Sequence, residues 1–405
     1  MLRHRDARLI IGAVGVSALG DFLIWVPLTL QLRAMTHSGL AVAGLFLALW
    51  TPVVVLAPVA GLVADRFESR AVLLVVTCAQ AAIAAGLAFV LGSVAAILVF
   101  ATLLGIGFAF AQPAEFSLVP VIGGERLADL NGWVESARYI GMTAGPGIGG
   151  ILMSVGGAKI AMLVNAATFV ALGIAALALH ARRRPERAAE QSEPDRARDG
   201  VVYLFRDRVL GLVVSIVFVS LLVMTASATA EVFFLKESLH VSDLVYGLLF
   251  MTWTGGMVGG ALFVARRVPA TAFALGVLVF VLVQGAGLGL PTAILSIGFA
   301  GAMWFIGGVG HGTKNVLARA LIQQRVPNRL HGRAFAAYNG LRNGAELFAL
   351  AAGGLLVAAI GGRGTLALAG GIPVVTSAVG ILWYLRTAAR EAAAPAAAKV
   401  GAADA

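Results

Sequence analysis

Several ionisable residues stand inside long apolar stretches of this sequence, where a charged group is costly to bury. Asp21 is the deepest, near the middle of the first stretch, whereas Arg138 and Glu346 lie in the first half of two later stretches. Ionisable groups at such depth are typical of proton relays and substrate pathways. We therefore predict Asp21, Arg138 and Glu346 as proton-coupling residues. The alternative for Asp21 is a buried carboxylate that only holds neighbouring helices together.

A second set of residues is suited to binding an organic molecule. Trp25, Trp253 and Trp304 offer large apolar faces, while His311 and Lys314 offer polar groups in the same kind of stretch. We predict that these five residues line a substrate cavity. The alternatives are contact of the tryptophans with lipid or neighbouring helices and a structural role for His311.

Signatures of enzymes are missing from the sequence. Neither His-Glu-x-x-His nor Gly-x-Ser-x-Gly occurs, and the run from His311 to Lys314 fails the phosphate-loop pattern because Lys does not directly follow Gly. We therefore expect no enzymatic activity, no cofactor and no metal site.

The elements that must position these residues follow from composition. Of 405 residues, 60% are hydrophobic and 12% charged, with a mean hydropathy of +0.92, whereas soluble domains carry about 25% charged residues. A helical span needs roughly 20 apolar residues, and twelve apolar stretches are long enough. These predicted spans one to twelve cover residues 9–32, 40–63, 71–92, 94–119, 132–155, 158–180, 209–235, 244–265, 270–290, 292–322, 334–361 and 364–385.

The net charge of +10 raises the possibility of nucleic-acid binding, so the position of the basic residues decides its meaning. Twenty-two of the 30 fall in the termini and the loops of one side, and four in the loops of the other side. Lys and Arg favour cytoplasmic loops. The charge therefore predicts a multi-pass protein of the plasma membrane with both termini in the cytoplasm, and not a nucleic-acid partner.

The chain reads as two related halves. Asn131-Gly132 at the start of span five recurs as Asn339-Gly340 at the start of span eleven, an offset that also places Arg138 opposite Glu346. The alternative is chance matching in Ala-, Gly- and Leu-rich helices. We predict a six-helix bundle over 1–181, a cytoplasmic linker over 182–208, a second six-helix bundle over 209–388 and a disordered tail over 389–405. We also expect Arg138 and Glu346 to pair across the halves.

Two motifs carry a resemblance to a known family. Gly61-Leu62-Val63-Ala64-Asp65-Arg66 precedes span three, and Gly141-Met142-Thr143-Ala144-Gly145-Pro146-Gly147-Ile148-Gly149-Gly150 stands in span five. With them, the chain resembles an exporter of the major facilitator superfamily over essentially its whole length. Gly20-Asp21, Asn165, Thr168-Phe169 and Gln324-Arg325-Val326-Pro327 are similar to the subgroup of bacterial drug and siderophore exporters that resemble the enterobactin exporter.

The first motif implies a cytoplasmic gate made of Gly61, Asp65, Arg66, Arg70 and Glu115. The family's loop usually has Gly and a basic residue where this chain has Glu68 and Ser69. We expect Asp65 to contact the start of span eleven near Arg333, and Arg70 to reach Glu115 or Glu125 in place of the missing base. The alternative is an ordinary solvated loop.

The second motif implies a hinge. Glycines four residues apart make a flat helix face that a second helix can approach closely, and Pro146 can bend the helix. We expect spans five and eight to meet through the glycines of both spans, which are Gly141, Gly145, Gly149 and Gly150 in span five and Gly255, Gly256, Gly259 and Gly260 in span eight. The alternative is tight packing without motion.

The resemblance implies an all-α membrane protein with twelve transmembrane helices in two pseudo-symmetric six-helix bundles. The expected function is export of a small amphipathic or hydrophobic molecule in exchange for protons, by a monomer in the lipid bilayer. Proton-coupled uptake with the same fold stays open, and so does a membrane receptor that transports nothing.

Overall fold

The computed structural model describes residues 5–182, 204–326 and 331–393. Within these ranges, the side chains of Asp65, Glu125, Ala128, 331–337 and 388–393 lie outside the description. The described residues are almost entirely helical, as the resemblance implies. The linker prediction falls mostly on residues outside these ranges, and so does most of the predicted tail.

Each of the first two spans runs through two consecutive helices. Span one runs through two helices that meet near Ile24, and span two through two helices that meet at an angle of 51°. The helices of the first half are Arg5–Leu23, Trp25–Thr36, Gly39–Val55, Ala57–Arg66, Ser69–Leu87, Val94–Gly123 and Leu127–Ala178.

The second half repeats this plan, and two of its helices continue into a short π-helix, Phe234–Ser238 and Gly260–Val264.

Three of the described helices begin at a serine whose side chain accepts a backbone N–H, namely Ser93 in the first half and Ser242 and Ser296 in the second. A serine at this position satisfies one of the backbone donors that a helix start leaves free. The α-helices of the second half are Arg208–Phe233, Asp243–Gly259, Phe273–Gly289, Ile297–Arg325 and His331–Ala393.

Two helices are each long enough for two membrane crossings. Gly157 (φ 68°) breaks Leu127–Ala178 and Gly361 (φ 72°) breaks His331–Ala393, where a side chain would be strained. These breaks separate spans five and six, and spans eleven and twelve. The last helix continues to Ala393, past the predicted boundary at residue 388.

By length and apolarity alone, eight described helical segments are suited to crossing a membrane, or nine with the bent pair of span two. Two of these eight contain the breaks just described. The helix Ile297–Arg325, which holds span ten, is not among them because of its polar residues. Every predicted span coincides with helix, but the number of twelve crossings stays a prediction.

The two halves touch chiefly through two helix pairs, spans five and eight and spans two and eleven. In the first pair, a Cβ added to Gly247 would come within 2.6 Å of the Pro146 carbonyl oxygen and 2.9 Å of the Gly150 Cα. In the second, a Cβ on Gly354 would lie 3.0 Å from the Gly39 oxygen. Gly39 and Gly247 occupy equivalent positions of the two halves, so the repeat builds the same contact twice.

An ion pair joins the halves at the same end of the bundle. Arg33 donates to Glu237 at 3.2 Å, and its guanidinium lies over the ring of Phe233 at 5.9 Å. We call the end with Arg33, Gly39, Glu237 and Gly247 the packed end. The charge distribution of the sequence predicts that this end faces outward.

The predicted glycine-to-glycine hinge is wrong in its partners, although spans five and eight do meet. Gly141, Gly145 and Gly149 lie against the backbone of span one, at Gly15, Leu19 and Leu23. Gly256 and Gly260 lie against span ten, whereas Gly255 is in ordinary contact with Thr143 and Gly259 faces open space. Of the predicted residues, Gly150 and Pro146 make the close contact. The glycine spacing correctly indicates close helix contacts. The row of glycines on each span, however, packs against another helix of the same half and not against the other row.

Candidate functional site

A central cavity of about 540 Å³ lies between the two halves. Both halves contribute to its wall, and three side chains named from the sequence, Trp25, Trp253 and Trp304, are part of it. The other lining residues include Phe46, Trp50, Gln112, Met224, Glu231, Tyr246, Phe250, Arg342, Asn343 and Glu346. A volume of this size accommodates a small organic molecule.

Trp25 is the centre of the aromatic wall. Its ring lies 5.6 Å from that of Phe46 and 6.2 Å from that of Trp50, both edge to face. It also lies 6.0 Å from the ring of Phe250, which belongs to the other half. A motion of the halves against each other would therefore change the shape of this wall.

The described wall of the central cavity carries three charged side chains. Arg342 donates to Glu346 at 2.9 Å, one helical turn apart on span eleven. The third is Glu231 on span seven, which forms no ion pair with a described side chain. Glu231 and Arg342 lie close to the ends of apolar stretches in the sequence, where a long side chain can act as an anchor at the membrane surface, but both line the cavity.

A second cavity of about 230 Å³ lies in the first half and brings together Asp21, Glu115 and Arg138. Arg138 lies 3.5 Å from Glu115 and 3.7 Å from Glu135, and its guanidinium stands over the ring of Phe116. Glu115 is only 3% exposed and lies beside Arg138 and not beside Arg70, so its role in a gate stays a prediction.

Asp21 faces this second cavity with one oxygen unsatisfied. Its Oδ1 is buried and has no hydrogen-bond partner among the described residues. A buried polar atom without a partner is costly, and such a carboxyl group gains from binding a proton. The two cavities share the side chains of Trp25, Trp50, Val53 and Gln112, so these residues form the wall between the carboxyl group and the central cavity.

The expected pairing of Arg138 with Glu346 across the halves is wrong. Arg138 lies beside Glu115 and Glu135 in the first half, and Glu346 accepts from Arg342 in the second. Each of the two side chains pairs with an opposite charge on its own helix or on a neighbouring helix of the same half. Equivalent positions in the repeat therefore do not imply contact.

The prediction that His311 and Lys314 line the cavity is also wrong. On span ten, the central cavity reaches Trp304, and Lys314 lies ten residues further, which is about 15 Å along a helix. Lys314 is 1% exposed. His311 contacts the Trp253 ring at 5.9 Å and the Asn315 amide at 3.0 Å, so it stands behind the aromatic wall.

The expected gate is described only in part. The side chains of Asp65 and Arg333, whose contact is expected to close the gate, lie outside the described residues. Gly61 faces open space and Arg66 is exposed. Arg70 does not reach Glu115, because it donates to the carbonyl oxygen of Leu177 at 2.6 Å and so ties span three to span six.

Sequence reasoning missed Gln112, Tyr246, Phe250 and Asn343 as parts of the cavity wall. Gln112 and Asn343 are uncharged amides in the interior of spans four and eleven. A polar side chain inside an apolar stretch is the signal by which they could have been found. Tyr246 and Phe250 lie one helical turn apart, which places them on the same face of span eight. Their facing the cavity depends on how the halves pack.

The family follows from a comparison with known families. The model of the Major Facilitator Superfamily matches residues 10–349, which is most of the chain. The chain belongs to this superfamily. It is therefore a multi-pass membrane transporter and not an enzyme, and the plasma membrane fits such a protein.

Curated relatives of this superfamily member are distant but cover nearly all of it. It is 26% identical over 404 residues to a multidrug efflux pump, Tap, of Mycobacterium tuberculosis (strain ATCC 25618 / H37Rv), with 91% of each chain covered. It is 25% identical over 363 residues to an uncharacterised MFS-type transporter, YfiS, of Bacillus subtilis (strain 168), with 85% of each covered.

Solved structures support the same fold. A bacterial homologue of the human lysosomal transporter Spinster, inward-facing and unoccupied, superposes with a TM-score of 0.72 at 13% identity, covering 94% of this chain and 97% of that one. The nucleoside transporter NupG superposes with a TM-score of 0.68 at 13% identity, covering 94% and 99%. At this identity the likeness concerns the fold.

Proposed function

We propose that the chain exports a small amphipathic or hydrophobic molecule, such as a drug, siderophore or secondary metabolite, in exchange for protons. The central cavity alternates its access between the two sides of the membrane and carries the substrate. The observation that supports this best is the pair of cavities that share one wall. One is aromatic and large enough for a substrate, and the other holds a carboxyl group suited to binding a proton.

Asp21 is the proposed proton site. Burial favours the neutral form of a carboxyl group, while a nearby cation favours its charged form. Arg138 stands in the same cavity as Asp21, so a small change in their separation or in access to water shifts the proton affinity. Trp25, Trp50 and Gln112 lie between this cavity and the substrate, so binding there can alter the surroundings of Asp21.

Export is favoured over uptake by the similarity to Tap, which is named a multidrug efflux pump. The fold itself does not decide the direction, since a nucleoside transporter shares it. We also propose that the chain works as a monomer, with both termini and the 182–208 linker in the cytoplasm. Labelling of single cysteines introduced at either terminus checks this orientation. Reaction with an impermeant reagent added outside intact cells would contradict it.

The flux experiment uses everted membrane vesicles and two fluorescent amphipathic dyes, ethidium and a Hoechst dye. An imposed gradient that is acidic in the lumen should drive accumulation of at least one dye, and an uncoupler should abolish it. Accumulation only under the opposite gradient would favour uptake. Binding of a dye without any flux would favour a receptor.

A further inference from the structure

Glu231 is a carboxylate on the wall of the central cavity that has no basic partner among the described side chains. No described charged side chain acts on it, and the nearest basic residues along the chain are engaged elsewhere. Lys236 donates to Asp243 in its own half, and Arg33 donates to Glu237 at 3.2 Å. The carboxylate of Glu231 is therefore available to an occupant of the cavity.

The remaining charges of the described cavity wall cancel. Arg342 and Glu346 form an ion pair at 2.9 Å on one helix face, so the side chains that line the cavity carry a net charge of one negative unit when Glu231 is ionised. The cavity offers no free cation to an anionic occupant, because its single described basic side chain is already paired. A buried charge is costly unless it is paired, so a cationic occupant would stabilise the ionised form of Glu231.

The aromatic wall favours the same kind of occupant. Trp25, Trp50, Tyr246, Phe250 and Trp253 line the cavity together with Glu231. Cations are attracted to the faces of aromatic rings, Trp most strongly. Aromatic rings also give apolar contact to a bulky organic body. The carboxylate and the rings thus select together for a cation with a large apolar surface.

Glu231 is the lining residue of span seven that lies nearest the packed end. The lining residues of span seven run from Met224 to Glu231, and the next residues of that helix lead to Phe233 and Glu237, where Arg33 joins the halves at the packed end. A cation drawn to Glu231 therefore enters fully between the halves. Trp25 lines the same cavity and is part of the wall that separates it from Asp21.

We propose that Glu231 is the charge-recognition residue of the central cavity and that the substrate is an organic monocation with an aromatic or bulky apolar body. This inference rests on the proposed function, because it assumes that the central cavity holds the substrate. It adds to that proposal a substrate class and a residue that selects it.

The test measures binding in detergent without any gradient, using tetraphenylphosphonium as the cation and triphenylphosphine oxide as a neutral probe of similar shape. Glu231→Gln should weaken binding of the cation by about tenfold or more, equal to about 1.4 kcal/mol, and leave binding of the neutral probe unchanged. Glu231→Asp keeps the charge and should retain most of the cation binding. Asp129→Asn removes an exposed carboxylate from the first turn of Leu127–Ala178 and serves as the matched control.

Two results would overturn the inference. One is equal binding of tetraphenylphosphonium by the parent and by a folded Glu231→Gln variant, and the other is a parent that binds no tetraphenylphosphonium. An equal loss of both probes would also count against it, since this indicates a damaged cavity and not a lost charge. If binding depends on Glu231 but energised vesicles accumulate neither dye, the proposed function fails and the cation site stands. If energised vesicles accumulate a dye while cation binding does not depend on Glu231, the proposed function stands and the cation site fails.

Discussion

The polar clusters of the two halves differ in how their charges are balanced. In the first half, Arg138 lies beside two carboxylates, Glu115 and Glu135, while the buried Oδ1 of Asp21 has no hydrogen bond among the described residues. In the second half, Arg342 and Glu346 pair with each other, and the buried Lys314 forms no ion pair with a described side chain, although Glu346 acts on it electrostatically. The repeat preserved the helices but not the positions of the ionisable groups that lack an ion pair.

Equivalent helices of the two halves can therefore carry different tasks. A spare buried carboxyl group binds a proton readily, because the neutral form is the better one in an apolar place. The first half therefore carries the proposed proton site. The second half contributes Glu231, Tyr246, Phe250, Trp253 and Trp304 to the wall of the central cavity. It therefore carries the proposed recognition of the substrate.

Removing the carboxyl group of Asp21 should have the strongest effect on transport. Asp21→Asn keeps the shape of the side chain but removes the proton that exchanges, so accumulation of dye driven by a pH gradient should fall to background. Exchange of labelled against unlabelled dye across the membrane should continue. Unchanged gradient-driven accumulation in this variant would remove Asp21 from the mechanism and make the two halves equivalent.

The second effect compares the two ion pairs. Arg138→Met leaves Glu115, 3% exposed, without its cation and should lower the free energy of unfolding by about 3 kcal/mol, as for a broken buried pair. Arg342→Met breaks a more exposed pair one turn apart and should lower it by about 0.5 kcal/mol. Thermal unfolding in detergent measures both. Equal losses would mean that the two clusters are balanced alike.

The third effect concerns the contact between the halves. A Cβ on Gly247 would come within 2.6 Å of the Pro146 oxygen, so Gly247→Ala should push spans five and eight apart and slow transport several-fold. Gly371→Ala places a methyl group where nothing lies within 4 Å and is the control. Cross-linking between cysteines at positions 33 and 237 reports the packed end. Equal cross-linking and equal flux in both variants would show that this contact does not restrain the halves.

The smallest effect lies outside the membrane-spanning segments. Asp207 accepts from the backbone N–H groups of Val209 and Leu210 and pairs with Arg325 at 2.9 Å. Partial burial raises its pKa, but these hydrogen bonds and the ion pair outweigh it and leave the pKa below its ordinary value.

A lowered pKa in the folded state adds stability above the unfolded value, and this stability is lost as the pH falls through the folded value. Asp207→Ala should therefore cost about 1 kcal/mol at pH 7. The difference between parent and variant should stay constant from pH 7 to 5 and shrink only below about pH 4, near the ordinary pKa of Asp. Thermal unfolding measured across this pH range checks it. A difference that already shrinks between pH 7 and 5 would contradict the lowered pKa.

Much of the helical plan is visible in the sequence because lipid demands long apolar segments. The breaks at Gly157 and Gly361 fall where the apolar stretches were separated. The partners of Gly145 and Gly149 were not predictable, since a small face is suited to any close helix and span one supplied it. The cavity position of Glu231 was hidden for a similar reason. Distance from a span end is read along one helix, whereas access to a cavity depends on how several helices pack.

In the proposed antiport, protons and substrate move in opposite directions, so outward movement of the substrate should drive protons inward. Proteoliposomes are loaded with ethidium and with a pH-sensitive dye that stays inside, at equal pH on both sides. As ethidium leaves down its gradient, protons should enter and the lumen should become more acidic, while Asp21→Asn vesicles should lose ethidium without this change. Loss of ethidium from parent vesicles with a constant or rising luminal pH would contradict proton antiport.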